Sequence, residues 1–328
     1  MEPSGRITNV IADPLVSVVI PCYDAAPWIA DAIQSALAQT YPRVEVVVID
    51  DGSNDNSQDI IKSFDGRIKF AFLDHKGAPH ARNAGWRIAV GEFIQFLDAD
   101  DILFPHCVGR KVQTIFREGA DIVYSGGFFF DVEGNKGNYE PQQGPPNGQG
   151  GAVAHIIAST IVTTLLMCRR ACLEKVGGLD EQLVKGQEHD LLLRLVVAGF
   201  KLSCIPEGLS LNRTGHNPQS ITRVTSQDPY HLERLYDRFE KLLENASLWT
   251  REVRAALAWR FHFTGMQYLT VHDRSRALRM FQRARQLEKR YMSCLPVTRR
   301  LLVPLAGGYF AERFLTKLRQ IFPRSIDG

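Results

Sequence analysis

Between residues 16 and 126 one unit recurs along the chain: a short β-branched run, a stop rich in Asp or Gly, and a helix-length amphipathic stretch. The runs are Val16–Ile20, Val44–Ile49, Ile68–Leu73, Glu92–Leu97 and Asp121–Tyr124. Val16–Ile20 and Val44–Ile49, without polar alternation, carry the mark of strands buried on both faces. Asp24 is expected to cap the first helix, with Pro27 in its first turn and Ile29, Ile33 and Leu37 on one face. Further helices are expected up to about Phe64, over Pro79–Val90 and near Pro105–Arg117. Such an order predicts an α/β fold with a mostly parallel sheet covered by helices. Ligands then bind outside the carboxyl ends of the strands.

The order changes after residue 130. Asp131–Gly151 is rich in Gly, Pro, Asn and Gln and reads as a surface loop or mobile lid. Residues 160–176 read as a strand and a short helix, Gly186–Ala198 as a helix and Lys201–Ile205 as a strand. Beyond Asp228 only helices are expected, over 228–245, 250–271, 274–290 and 308–320, with Ala277, Phe281, Ala284 and Leu287 at helical spacing. The division expected is an α/β part, 1–227, and a basic helical extension, 228–328.

With 45% apolar and 23% charged residues, the 328-residue chain can build a core, and disorder is excluded as the default. Its net charge of +3 hides an imbalance: −6 over residues 1–227 and +9 over 228–328. A basic helical tail suits an anionic membrane face or an acidic partner. No nucleic-acid-reading motif accompanies it, so nucleic acid is not expected. The six cysteines have no disulfide cadence, and Cys168 and Cys172 are spaced wrongly for a zinc knuckle. Reduced thiols and a cytoplasmic location are expected. The N-terminal residues lack a charged-then-apolar signal. The longest apolar stretch, Ile156–Cys168, falls short of the ~20 residues a bilayer requires.

Chemistry-bearing residues gather at the strand ends: Pro21-Cys22-Tyr23-Asp24, Asp50-Asp51-Gly52-Ser53 and Asp98-Ala99-Asp100-Asp101. Two carboxylates two positions apart can face one hard cation, and Mg²⁺ and Mn²⁺ favour such oxygen ligands beside substrate phosphates. The plainer reading is a turn, where Asp is common. No G-x-x-x-x-G-K-[ST] occurs, and no G-x-G-x-x-G follows the first strand, which argues against a P-loop NTPase and a dinucleotide oxidoreductase.

Val16-Ser-Val-Val-Ile-Pro-Cys-Tyr23, Val48-Ile-Asp-Asp-Gly-Ser53, Ala81-Arg-Asn-Ala-Gly85 and Phe96-Leu-Asp-Ala-Asp-Asp101, in that order, resemble the family 2 glycosyltransferases with the GT-A fold. The resemblance covers about residues 15–225 and implies a catalytic part over 1–227, with 15–126 binding nucleotide and 151–227 the acceptor. It implies inverting transfer of a sugar from a nucleotide donor, of the UDP or dTDP class, with Mn²⁺ or Mg²⁺ as cofactor. It implies that Pro21, Tyr23 and Asp51 meet the base, Arg82 the diphosphate, Asp98 the ribose and Asp100 the metal, while Asp50 is structural and Asp101 caps a helix. Gly177-Gly178-Leu-Asp-Glu181 resembles the family's glycine turn beside the acceptor, and Gln187-Glu-His-Asp190 its Glu-Asp-Trp-Asp helix start. Glu188 then falls where the catalytic Asp stands, with Asp190 the second candidate and His189 in the Trp position. The segment Arg213–His216 resembles the family's closing segment, with His216 as a further metal ligand.

Cys22 reads as packing and His80 as a solvated helix end. The Gln-x-x-Arg-Trp signature of processive synthases is absent, which points to transfer of a single sugar. The acceptor expected is a glycan or glycolipid of a bacterial surface. The stretch 296–322, mixing Arg and Lys with Leu and Phe, reads either as a surface for the inner membrane face or as helices packed on the core, the reading favoured for 228–290. Two other readings stay open: a sugar nucleotidyltransferase, and a non-catalytic scaffold with a partner-binding tail.

Overall fold

The computed structural model describes residues 13–130, 136–140, 144–159, 161–213 and 228–288. The βα array appears as read. Strand β1 (Val16–Cys22) leads through α1 (Ile29–Leu37) to β2 (Val44–Asp50), and α2 (Ser57–Lys62) leads to β3 (Lys69–Phe72). Helix α3 (Ala78–Ile88) leads to β4 (Phe93–Phe96), then a short β5 (Ile102–Leu103), α4 (Cys107–Glu118) and β6 (Ile122–Phe130). There follow β7 (Lys136–Glu140), α5 (Gln149–Ala158), a 3₁₀ turn at Thr163–Leu165, β8 (Leu166–Arg169), α6 (Arg170–Val176), α7 (Gln187–Val197) and β9 (Leu202–Arg213). Three helices, α8 (Pro229–Ala246), α9 (Arg251–Thr270) and α10 (Arg274–Leu287), close the described chain.

The strands form one sheet in the order β3-β2-β1-β4-β8-β6-β9-β5, with β7 also on β6. Strands β1 to β4 run parallel, with Cys22 beside Asp50 and Asp50 beside Phe72. Their carboxyl ends therefore share one edge. Strand β8 runs antiparallel between β4 and β6, and β9 runs parallel to β6. An antiparallel strand brings its amino end to the edge where its neighbours end. The turn that precedes β8 thus reaches the carboxyl edge of β4.

Alternation along the strands divides the core. Val16, Val18, Ile20, Val46 and Val48 face a cluster with Ile29 and Ile33 of α1 and Val108 and Ile115 of α4. Val19, Val47, Ile49, Ile94 and Phe96 face the other, which joins α3, α5, α7 and the closing helices through Leu235, Phe239, Phe261 and Phe281. Helix α3 lies close against the sheet because Gly85 lacks a side chain: a Cβ there would stand 2.4 Å from Val19 Cγ1. Gly265 does the same between α9 and α10, where a Cβ would stand 2.7 Å from Phe281 Cε1.

Three expectations change. Asp24 does not cap α1, which starts at Ile29 after Trp28 without a side-chain cap. Asp24 instead has φ 45° and accepts a hydrogen bond from the Asn54 amide at 2.7 Å. Asp131–Gly151 is not simply a loop: residues 136–140 form β7 against β6, and α5 begins at Gln149. Hairpin pairing supplied order that a Gly- and Asn-rich composition does not reveal. Asp101 caps no helix, since α4 begins at Cys107. The helix expected over 308–320 lies outside the described residues. None of the described helices is long and apolar enough to cross a membrane.

Candidate functional site

The ends of β1, β2 and β3 bring one group of polar residues together. Asp50 is fully buried and serves the loop, accepting from the Ser53 amide at 3.0 Å and Gln58 Nε2 at 2.9 Å. Asp51 follows it and turns the other way. Its Oδ1 accepts from the Lys76 amide at 3.1 Å and its Oδ2 from the Gly77 amide at 2.7 Å. His75 Nδ1 lies 2.9 Å from Asp51 Oδ2, and His80 Nδ1 lies 3.9 Å from Oδ1. Pro21 sits in β1 beside Ile49. Tyr23, just beyond, is 39% exposed and stacks on His75, ring centroids 4.0 Å apart. Burial pushes the thiol of Cys22 up to about 12, which leaves it inert as a nucleophile.

The motif on α3 does three different jobs with three residues. Arg82 is buried and reaches the edge, donating from Nη2 to Asp98 Oδ1 at 2.6 Å and to Thr163 Oγ1 at 3.2 Å, and from Nη1 to Gln187 Oε1 at 3.0 Å. Its Nε is buried without a partner. Asn83 holds the glycine turn: Nδ2 donates to Leu179 O and Glu181 Oε1, both at 2.8 Å, and Oδ1 accepts from the Leu179 amide at 2.9 Å and Trp86 Nε1 at 3.0 Å. Gly85 lets the helix sit on the sheet.

At the end of β4 three carboxylates share one turn. Asp98 is half-buried and paired with Arg82. Asp101 is buried, its Oδ2 accepting from Thr164 Oγ1 at 2.6 Å and Asn212 Nδ2 at 2.7 Å, its Oδ1 from the Arg213 amide at 3.0 Å. Burial first, then the neighbouring charges of Asp100 and Asp98, push its carboxyl well above the usual range. Asp101 therefore ties β9 to the turn. Asp100 is half-buried, and its main-chain carbonyl accepts from Arg213 Nη1 at 3.1 Å. Among the described residues no group of three or more His, Cys, Asp or Glu is arranged to hold a metal. His216 lies outside the described residues.

On the facing side, α7 starts after Gly186 and carries Glu188 in its first turn. Burial raises the Glu188 carboxyl, with the charge of Asp98 adding to it, while Arg82 and Lys185 pull it back. Glu188 thus shares its electrostatic surroundings with the Arg82–Asp98 pair. Asp190 is buried and engaged: Arg194 Nε donates to its Oδ2 at 2.7 Å, and the same guanidinium donates to Val176 O and Gly178 O, each at 2.9 Å. His189 points into the core, its Nε2 donating to Ile156 O at 2.7 Å. Burial brings it down to about 3, so the ring is neutral and stands apart from the acid–base chemistry.

The family model for glycosyl transferase family 2 matches residues 17–177. An uncharacterized glycosyltransferase of Nostoc sp. is 35% identical over 228 residues, 65% of this chain and 69% of that protein. The chain belongs to the family 2 glycosyltransferases. Glycosyltransferase GlyG of Streptococcus pneumoniae is 33% identical over 129 residues, 38% of this chain and 42% of its own. The chain spans only 36% of an uncharacterized glycosyltransferase of Rickettsia conorii, with 27% identity over 222 residues. Among solved structures, S. aureus TarS 1-349 in complex with UDP-GlcNAc is similar with a TM-score of 0.69 at 17% identity, covering 93% of this chain and 92% of that one. A mannosyltransferase of Pyrobaculum calidifontis in complex with GDP-Man and Mn²⁺ gives 0.52 at 16% identity, covering 96% and 89%. At such identities the likeness is one of fold.

In this family 2 chain, residues brought together that the motifs did not name include His75, Thr163 and Thr164, while Gln187 stood in a motif without a role. Thr163 donates to both Asp98 oxygens at 3.2 Å, and Thr164 Oγ1 accepts from the Asp98 amide at 3.1 Å. Their one signal was a polar pair inside the apolar stretch Ile156–Cys168. His75 had none, because it follows an ordinary strand end.

Proposed function

We propose that the chain transfers a single sugar from a nucleotide-sugar of the UDP class to a hydroxyl acceptor with inversion, and that Glu188 is the general base. The observation that carries this reading is that Arg82, paired with Asp98, also donates to Gln187, the residue before Glu188 on α7. A hydroxyl is a poor nucleophile until a carboxylate takes its proton. As Glu188 accepts it, the acceptor oxygen bonds to the anomeric carbon and the bond to the diphosphate oxygen breaks on the opposite face. That single displacement inverts the centre. An upward shift of the carboxyl is the direction a base working near neutrality requires. Arg82 puts a fixed positive charge beside the leaving group, where negative charge grows.

The nucleotide would lie along Pro21, Tyr23 and Asp51, with Asp98 at the ribose. UDP is favoured by the motif resemblance and by TarS, which binds UDP-GlcNAc. Carboxylate oxygens suit a hard cation, and Asp100 stands in one turn with Asp98 and Asp101, whose carboxyl is pushed up by burial and then by the charges of Asp100 and Asp98. Asp100 would hold Mn²⁺ or Mg²⁺, with His216 as a further ligand. When bound, the ion screens the diphosphate charge. Calorimetry of UDP with and without Mn²⁺ tests this. Mn²⁺ should tighten UDP binding to the native chain and not to Asp100→Ala. An equal gain in both removes Asp100 from the metal. Failure of UDP, dTDP, GDP and CDP all to bind with Mn²⁺ overturns the function itself.

A glycan or glycolipid acceptor at the cytoplasmic membrane face fits the basic tail. The exposed side of α10 carries Arg279 and Arg285 with exposed Leu278, and the helix contains no acidic residue. The basic stretch 296–322 lies outside the described residues. The full chain should float with phosphatidylglycerol vesicles and not with phosphatidylcholine ones. No flotation with the anionic vesicles ends the membrane reading.

A further inference from the structure

The segment between the glycine turn and Glu188 is held in part from outside the region that the family model matches. Its front half is pinned by Asn83 of α3 and by the Arg194 fork on Val176 and Gly178. Its back half, residues 180–187, rests on α8. Arg238 Nη2 donates to Asp180 Oδ2 and lies 3.6 Å from Asp190 Oδ1. His231 Nε2 donates to the main-chain carbonyl of Lys185. Leu235, one turn from each, is buried against Gly186, where a Cβ would stand 2.6 Å from Leu235 Cδ2. Gly186 has φ +72°, the left-handed region that favours glycine, and it opens α7 directly. His189, next to Glu188, packs edge-on to Phe239 of the same helix, with ring centroids 5.0 Å apart.

Three successive turns of α8 thus present a cation, an apolar side chain and an N–H donor to one eight-residue stretch. Glu188 is the residue after it. A loop carrying a base must be held to a fraction of an ångström, and side chains locked by a supporting shell supply that. Removing α8 would leave Asp180 and the Lys185 carbonyl without these partners, and would open the space beside Gly186.

We infer that α8 is a positioning element for the base: Arg238 and His231 fix the 180–187 stretch and thereby set the place of Glu188. The role given to Glu188 rests on the function proposed above, but the fixing of the stretch does not. Hydrogen–deuterium exchange on the full chain reads it without substrate. In Arg238→Ala, amides of residues 180–190 should exchange about tenfold faster while β1, β2 and α1 keep their native rates. Arg238→Lys, which keeps a cation near Asp180, should restore part of the protection. His231→Leu should reproduce the acceleration, and His231→Gln, which keeps an N–H, should relieve it. Unchanged exchange over 180–190, or acceleration spread evenly over the chain in both loss variants, overturns the inference.

A kinetic readout separates positioning from general damage. UDP release from UDP-N-acetylglucosamine, with water in the acceptor's place, should fall about tenfold in kcat for Arg238→Ala with UDP affinity within about twofold. Loss of UDP affinity together with kcat would mark general damage instead. If the native chain fails to bind UDP, the proposed function falls while the exchange result still decides the role of α8.

Discussion

Glu188→Gln should lower kcat by about 10²- to 10⁴-fold, the range a positioned general base contributes, and leave UDP affinity within about twofold. Gln keeps the shape and can still accept a hydrogen bond, but it cannot take a proton. The native pH profile should show an acid limb, because the base works only when ionised. Burial raises the Glu188 carboxyl, so that limb should lie above the ordinary Glu value of 4.5. Arg82 opposes the shift, so Arg82→Met should move the limb further up. Glu188→Asp, with the shorter reach, should keep the limb and lose part of the rate. Full activity in Glu188→Gln would refute the assignment. Asp190 would not take the place of Glu188, since its carboxylate is bound to Arg194.

Gly178→Ala should be clearly more damaging than Gly177→Ala. Both glycines of the turn have φ +78°, where an L-residue costs about 1–2 kcal/mol. At Gly177 that is the whole cost, since a Cβ there meets nothing within 4 Å. At Gly178 the Cβ would also stand 2.5 Å from Asn83 Oδ1 and 2.7 Å from Trp86 Nε1. Asn83 cannot move without releasing its bonds to Leu179 and Glu181. Crowding of that kind adds about 1–3 kcal/mol, so the two substitutions should differ clearly in their urea midpoints. Equal midpoints for Gly177→Ala and Gly178→Ala would show that the Asn83 clamp yields easily.

The same clamp shows why some of the site was legible. Arg82, Asn83 and Gly85 lie on one helix, and their spacing alone sends them to different neighbours. A local motif carries that information because a helix fixes the directions of its side chains. Residues that meet across the sheet carry no such mark. Thr163 and Thr164 are about 65 positions from Asp98 and reach it only because β8 runs against β4. His189 stands beside Glu188 in the sequence, yet it faces the core, since adjacent positions on a helix point about 100° apart.

The sequence by itself determined the βα order, the buried strands, the edge that gathers Tyr23, Asp51 and Asp98, and the family. Those follow from periodicity and from residues close together along the chain. Only the tertiary structure decided that Arg82 pairs with Asp98, that Asp101 ties β9 to the turn and is not a helix cap, and that α8 lies under the stretch before Glu188. These depend on which strand runs antiparallel and on which face of the sheet the closing helices cover. Both are settled by burial of apolar surface across the whole molecule, and a local run of residues does not record it.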